Sequence, residues 1–560
     1  MSRDAEKLKR YNISGIPLIK QVSDVLGLKS LLKKHIPSYG NEKASAIDTL
    51  MLLIWNITLG RQPLYELGGW VKDIDPGCHG MDKDTVKSFN DDRFARALDK
   101  LYLADRATLM TEIVVGMIKK VSLDTERVHN DSTTVKTYGK IPGTTKTGLK
   151  MARGVSKDHR PDLKQLVFSL TVSSDGAVPV HYKAYPGNRT DDTTHIETWN
   201  CLRDIIGRAD FIYVADCKVC TQKNLSAIVG KGGRVITTMP DTFKEAKAFK
   251  EELLSAKVEK KPILKKKIGS SSEYEYYSII LGDHRTKESG YRIYWYLSSQ
   301  KRKLDRSLRE ERIKKAEKGL ALLSPKLNKR ELKEKEQIKK AVESILKRYR
   351  AKDFINVDII EETKKTRKKV GRGRPGPNAE YRIETITRYS LYCEKDKERL
   401  ARQRRVDGVF PLISTDISIG PREALNYYKY QPRLEKRFNQ FKSVHEAAPI
   451  LFKNIERVEG IMFLFFVALL IQGVIERRVR MEMKEKGIKS LPLYPEYRKS
   501  FYPTTSKIFY NFDGISSYKI LKNDKVVKEF KDSLSSIQKM ILGLLDMDEG
   551  QYWGRATSEM

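Results

Sequence analysis

Residues 127–135 read RVHNDSTTV, residues 164–174 read KQLVFSLTVSS and residues 177–185 read AVPVHYKAY. The first is strand-like and delivers Asp131. The next two are joined by Ser174-Asp175-Gly176, turn residues that make the pair a hairpin. DTTHIETWNCLRDIIGR, residues 192–208, carries helical periodicity. FIYVAD, residues 211–216, is an apolar strand that ends on Asp216. TQKNLSAIVGKG then reads as a helix closing at glycine, and RVITTM as a further strand. The order is three strands, helix, strand, helix, strand.

That order matches the ribonuclease-H-like fold, in which the first and fourth strands are neighbours. The matching sets Asp131 beside Asp216 despite their separation in sequence. A third acid comes from residues 428–442, YKYQPRLEKRFNQFK. Pro432 suits the first position of a helix. Glu435 and Lys442 lie seven residues apart, which at roughly 100° per residue is two turns, so both project from one face. Leu434, Phe438 and Phe441 fall on another face that can pack on a core. Two acids on strand ends and one on a helix are what a two-metal phosphoryl-transfer site needs. Mg²⁺ takes hard oxygen ligands, and two such ions clamp the attacking and leaving oxygens of an in-line displacement.

The spacing Tyr428-x2-Gln431-x3-Glu435-x6-Lys442 resembles the Y-x2-R-x3-E-x6-K signature of insertion-sequence DDE transposases of the IS-four superfamily. Gln431 stands where that signature has Arg. A register through Tyr430 and Arg433 would put Arg437 at the acid position and fails. The resemblance extends to HNDSTTV, GVSKDHRPDLKQL, YPGNRTDD, VADCKVCTQKNL and RVEGIMFLFFVALLIQ, from about Val128 to Ile475. It implies that Asp131, Asp216 and Glu435 are catalytic and ligate two Mg²⁺, with Mn²⁺ as the substitute. It further implies that Tyr428 and Lys442 touch phosphates near a cleaved DNA end. Gln431 can donate a hydrogen bond there without the charge of the family Arg, and Arg433 can supply that charge from an adjacent position.

Lys and Arg number 107 against 72 Asp and Glu, a formal net charge of +35 over 560 residues. That field favours a polyanion, and its spread along the chain suits a long nucleic-acid contact surface. The five cysteines are too few and irregular for a disulfide framework. Cys217 and Cys220 have no second pair nearby to complete a zinc site and read as reduced thiols. The N-terminal residues MSRDAEKLKRYN hold no apolar signal core. Ile461 to Ile475 is strongly apolar but falls short of the about 20 residues a membrane span needs, and Gln472 interrupts it. A buried helix and a cytoplasmic, nucleoid-associated chain with no membrane partner are expected.

Residues 1–120 read as an all-helical domain, with Asp91 or Asp92 capping the helix through RFARALDKLYL. Its place ahead of the core suits a DNA-end-binding module, or else a packing or dimerisation domain. The core occupies 121–240 and resumes over 410–476 with the Glu435 helix. Between them, 241–409 is a mixed insertion. It is β-rich around EYEYYSIIL, YRIYWYLSS and YRIETITRYSLYCE, with two charged helices separated by Pro325. Those helices read either as a solvated face or as a phosphate-contacting arm. Within KKVGRGRPGP, Arg372-Gly373-Arg374-Pro375 is the core of an AT-hook, whose arginines enter a narrow A·T minor groove, or a plain basic loop. Residues 477–560 are basic, with a hairpin around Asn523-Asp524, and suit dimerisation or DNA contact.

The fold expected is therefore α/β, a ribonuclease-H-like core with a large insertion and a helical N-terminal domain. The function implied is a transposase that binds terminal inverted repeats as a homodimer. It would cleave with metal-activated water and join the 3′-OH ends to target DNA. A metal-dependent nuclease without strand transfer and a non-cutting DNA-binding derivative are the alternatives.

Overall fold

A computed structural model describes residues 6–37, 42–60, 62–154, 162–256, 258–268, 272–329, 331–370, 381–448, 450, 452–522 and 525–554. The chain is mixed α/β and forms two compact units, Met1–Thr237 with Leu425–Met560, and Thr238–Ala424. In the first unit, strand β1 (Lys7–Asn12) precedes several helices. Those that matter below are α1 (Ala46–Gly60), α2 (Asp91–Leu103) and α3 (Arg106–Lys120). The cap of α2 is Asn90, one residue before the expected aspartates, and its side chain accepts from the Arg93 amide at 2.9 Å. Asp91 and Asp92 instead occupy the first turn, where acids meet the positive end of the helix dipole.

The core then runs β2 (Arg127–Thr137), β3 (Lys164–Ser173), β4 (Pro179–Pro186), α4 (His195–Ile206), β5 (Ile212–Ala215), α5 (Gln222–Val229) and β6 (Arg234–Thr238). β2 pairs antiparallel with β3, and β3 with β4. β2 pairs parallel with β5, and β5 with β6. The spatial order is β4-β3-β2-β5-β6. Every residue of β5 is buried, so Ile-Tyr-Val-Ala is a continuous apolar run with no solvated face, as central parallel strands are.

The second unit holds β7 (Lys260–Lys267), β8 (Tyr274–Arg285), β9 (Arg292–Ser298), α6 (Ser299–Leu323), α7 (Lys335–Arg348), β10 (Ile355–Lys369), β11 (Tyr381–Lys395) and β12 (Val409–Ser414). β12, β9, β8 and β7 pair antiparallel in that order. The two charged helices are not solvated all round. Ile313, Ala316 and Leu320 of α6 and Ile338, Val342 and Leu346 of α7 are buried in one cluster with Ile355 at the start of β10. Arg309 of α6 makes a bidentate ion pair with buried Asp407, both bonds 2.7 Å. β10 and β11 form a separate two-stranded ribbon, fifteen residues a side.

From Pro421 the chain forms α8 (Pro421–Tyr428), α9 (Gln431–Asn439), α10 (Ile455–Glu485), β13 (Ser516–Lys522) and β14 (Lys525–Lys531). Two expectations are corrected here. The first 120 residues are not all-helical, because β1 pairs antiparallel with β13, and β13 with β14. Nor do the two ends form separate domains, since that three-stranded sheet joins them. The turn at Asn523-Asp524 lies outside the described residues. α10 is 31 residues long, so by length and composition it could cross a membrane, yet its apolar window is buried throughout. It packs on α1, α2 and β4. Gly460 lets it approach α2, where an added Cβ would stand 3.2 Å from the Leu98 carbonyl oxygen. Gln472 is satisfied within this core, donating to the Thr58 carbonyl at 3.0 Å and standing 3.0 Å from His445 Nε2.

Candidate active site

The parallel register of β2 and β5 ends at the pair Asn130 and Ala215. The next residue after each is an aspartate, so Asp131 and Asp216 follow neighbouring positions of the two strands. β5 stops there because Asp216 Oδ1 accepts from the Lys218 amide at 3.0 Å and turns the chain. Thr237 Oγ1 of β6 donates to the Asp216 carbonyl at 2.7 Å and holds that turn. β2 instead continues to Thr137, so Asp131 stands within a strand rather than at its end. Asp131 Oδ1 accepts from the Ser132 amide at 2.7 Å. On the opposite side of the pleat, Asn130 Nδ2 donates to Thr171 Oγ1 at 2.9 Å and Ser169 Oγ at 3.2 Å, pinning β2 to β3. Both aspartates are half-buried.

Helix α9 is docked on β2 by Gln431. Its Nε2 donates to the Asn130 carbonyl at 3.0 Å, and its Oε1 stands 3.3 Å from His129 Nδ1. Burial brings the His129 pKa down to about 4; the Gln431 contact opposes this and Arg127 adds to it. The imidazole is therefore neutral at neutral pH, and Nδ1–H is the donor to Gln431 Oε1. Arg127 also lies over the Tyr427 ring at 4.2 Å, and His129 packs on Tyr430 at 4.8 Å between ring centroids. The Gln431 side chain is thus a strand-to-helix strut, a role the sequence did not suggest. Glu435 follows four residues later, on the same face one turn on, and is exposed.

The far side of α9 carries the expected apolar residues. Leu434, Phe438 and Phe441 are buried, and Phe441 stacks on Phe168 of β3 at 4.3 Å. Lys442 lies beyond the α-helix that carries Glu435. After Asn439 the helix widens into a π turn, Gln440–Val444, closed by His445 N to the Gln440 carbonyl at 3.0 Å. The seven-residue argument assumed 3.6 residues per turn, and a π turn has more. Lys442 is half-buried, as is Tyr428 at the end of α8. Arg433 lies over one ring, Tyr502, at 3.8 Å, and Arg480 lies over the same ring at 3.6 Å. Arg372 and Arg374 lie outside the described residues.

Sequence reasoning missed the anchor of α9. Arg437 donates to the Ala177 carbonyl at 2.8 Å and the Gly176 carbonyl at 3.1 Å, holding the tip of the β3–β4 hairpin. It also pairs with Glu476 of α10 at 2.8 Å. Gly176 has φ +79°, and an added Cβ would stand 2.8 Å from Arg477 Cβ. The signal was available: Arg437 sits at i+3 from Leu434, on the side of the helix that holds Phe438 and Phe441, and a cation there needs a buried partner.

Carboxylate oxygens are the donors that Mg²⁺ takes, so the chemistry of Asp131, Asp216 and Glu435 fits that ion. The three do not come together in one group, since among the described residues no three His, Cys, Asp or Glu side chains are gathered closely enough to hold a metal. The two aspartates are neighbours in the sheet, and Glu435 stands on the helix docked beside them.

Replacing Gln431 tests the strut. Gln431→Arg removes the acceptor for His129 and puts a charge against the Asn130 carbonyl. We expect a loss of about 1–3 kcal/mol in urea unfolding, with no tightening on DNA. An unchanged unfolding midpoint would refute the docking role.

Residues 8–115 match a family described as a domain of unknown function, DUF4277. That stretch stops short of Asp131. No curated protein matches the chain. Among solved structures, it is similar to a cryo-EM structure of a piggyBac transposase synaptic complex with hairpin DNA. The TM-score is 0.34 at 9% identity, over 88% of this chain and 76% of that one. A TM-score that low does not establish a common fold.

Proposed function

We propose that this chain is a DDE-type DNA transposase of an insertion sequence, built on a ribonuclease-H-like core. The observation that carries the reading is the register of β2 and β5, which ends one residue before Asp131 and Asp216. Two neighbouring carboxylates can share a cation, and Glu435, one turn beyond the Gln431 strut, is the acid assigned as the third ligand. Bound there, Mg²⁺ would activate water and stabilise the leaving oxygen of a phosphodiester. The residues of the chain do the rest. The Gln431 strut fixes where Glu435 can reach. Lys442 and Tyr428 offer a charge and a hydroxyl to phosphates flanking the cut, and Arg433 adds a second cation on the same helix. The net charge of +35 supports double-stranded DNA as the partner, at transposon ends and target alike. A homodimer bridging two ends and a nucleoid-associated, cytoplasmic site of action belong to the same reading.

The test is a joining assay. The chain is incubated with Mg²⁺, a duplex carrying the inverted repeats that flank its gene, and a supercoiled target. Cleavage at the repeat ends followed by covalent transfer of 3′-OH ends is expected. Cleavage with no joined product would make the chain a nuclease, and neither product would remove the enzymatic reading.

A further inference from the structure

We propose that the outer half of the β10–β11 ribbon is a DNA-binding arm that presents one defined face to the major groove. The inference rests on the reading that the partner is DNA, and it concerns residues that reading does not use.

Cross-strand partners share a face, so the register sorts the ribbon into two. On one face lie Ile355, Val357 and Ile359 with Leu391 and Tyr389, which pack into the cluster of α6 and α7. Further out the same face carries Thr363 opposite Thr387, Lys365 opposite Thr385 and Arg367 opposite Ile383. Lys365, Arg367, Thr385 and Ile383 are all exposed, Ile383 by 65%. Beyond Glu361 this face has no acid among the described residues. The opposite face differs, because there Glu384 pairs with both Lys368 and Arg382. One face thus changes along its length from apolar anchor to cations with no acid among the described residues, while the other intersperses Lys364, Lys368, Arg382 and Arg388 with Glu362 and Glu384.

The size and charge select the ligand. A two-stranded ribbon fits the major groove, about 12 Å wide, and not the minor groove at about 6 Å. The seven residues from Thr363 to Lys369 extend for roughly 24 Å, enough to follow the groove. On the proposed face Lys365 and Arg367 stand two residues apart, which suits successive phosphates along a groove wall. Threonine methyls and Ile383 can meet thymine methyls on the floor. A second protein strand is a poor fit, since lysines along an open edge oppose strand addition. A two-stranded ribbon also gains little stability on its own, so an outer half whose described side chains are mostly exposed needs another use.

The experiment compares two double variants of the full chain, both keeping Arg372 and Arg374. Lys365→Ala with Arg367→Ala alters the proposed face, and Lys368→Ala with Arg382→Ala the other. Affinity for a duplex is measured by anisotropy over a range of salt, with and without a saturating minor-groove ligand. Sedimentation and thermal unfolding are recorded for each. The first pair should lower the slope of log affinity against log salt by about 1.8, at about 0.9 per lost phosphate contact. The second pair should lower it by less than half as much, and the minor-groove ligand should leave the difference in place. Equal losses on the two faces, or a difference erased by that ligand, would overturn the proposal. So would an unchanged slope with altered sedimentation, which would make the ribbon a self-association surface. Because binding is read without cleavage, a chain that fails to cut DNA yet shows the difference would sink the transposase reading and keep the arm.

Discussion

Asp131→Ala and Asp216→Ala should each lower DNA cleavage about a thousandfold or more while leaving DNA affinity nearly intact. The loss follows from their place in the sheet. Each directly follows the last registered pair of β2 and β5, Asn130 and Ala215, and no other acid lies on either strand. On the proposed reading, losing one carboxylate from a shared cation would forfeit several kcal/mol of charge stabilisation at the reacting phosphate, and each 1.36 kcal/mol is tenfold in rate. On the same reading, DNA affinity would rest instead on Lys and Arg distributed over the chain. Glu435→Ala should match them in cleavage. Cleavage is followed with Mg²⁺ and again with Mn²⁺, and binding by anisotropy. Full activity in any one variant would take that acid out of the site. Parallel losses of cutting and binding would instead mean that the variant had failed to fold.

Glu476→Gln should be the most destabilising single change of similar volume. The carboxylate is buried and accepts from Arg437 at 2.8 Å, Arg480 at 3.0 Å, Gln440 Nε2 at 2.9 Å and the Thr505 amide at 2.9 Å. Burial alone would raise its pKa, but Arg437 and Arg480 outweigh that and hold it below the usual carboxylate range. Without it, two guanidiniums face each other with no counter-charge, and breaking a buried pair costs about 3–5 kcal/mol. The pH sign follows from the lowered value. The unfolded chain binds a proton there more readily than the folded one. The contribution is therefore complete above the unfolded value and is lost as pH falls through the folded one. Urea unfolding at neutral pH should show the deficit, and the acid limb of stability against pH should be shallower in the variant. A neutral-pH loss under about 1 kcal/mol would refute the argument. Because Arg437 also holds the hairpin tip and α9, the variant should lose cleavage more than DNA affinity.

The elements of the core were legible because each has a local cause. Ile212–Ala215 is apolar throughout, Ser174-Asp175-Gly176 supplies turn chemistry, and Leu434, Phe438 and Phe441 recur at helical spacing. β10 was not legible. Glu361, Glu362 and five cations dominate Ile355–Lys369, and only pairing with β11 along its whole length makes it a strand. The π turn that holds Lys442 was equally hidden, since a helix that widens leaves the order of residues unchanged.

The sequence by itself determined where the candidate acids lie along the chain, which segments are strands or helices in the core, and the sign of the chain's own charge. These depend on residue type and short-range periodicity, which a single chain displays directly. Tertiary structure alone decided that Gln431 faces His129 and the Asn130 carbonyl, that Arg437 is anchored by Glu476, and that β1 closes a sheet with β13. Each joins residues tens to hundreds of positions apart, through geometry and burial rather than through any pattern within one segment. A glutamine or an arginine looks the same in sequence whether water, DNA or a buried partner meets it, and only the packed chain chooses among them.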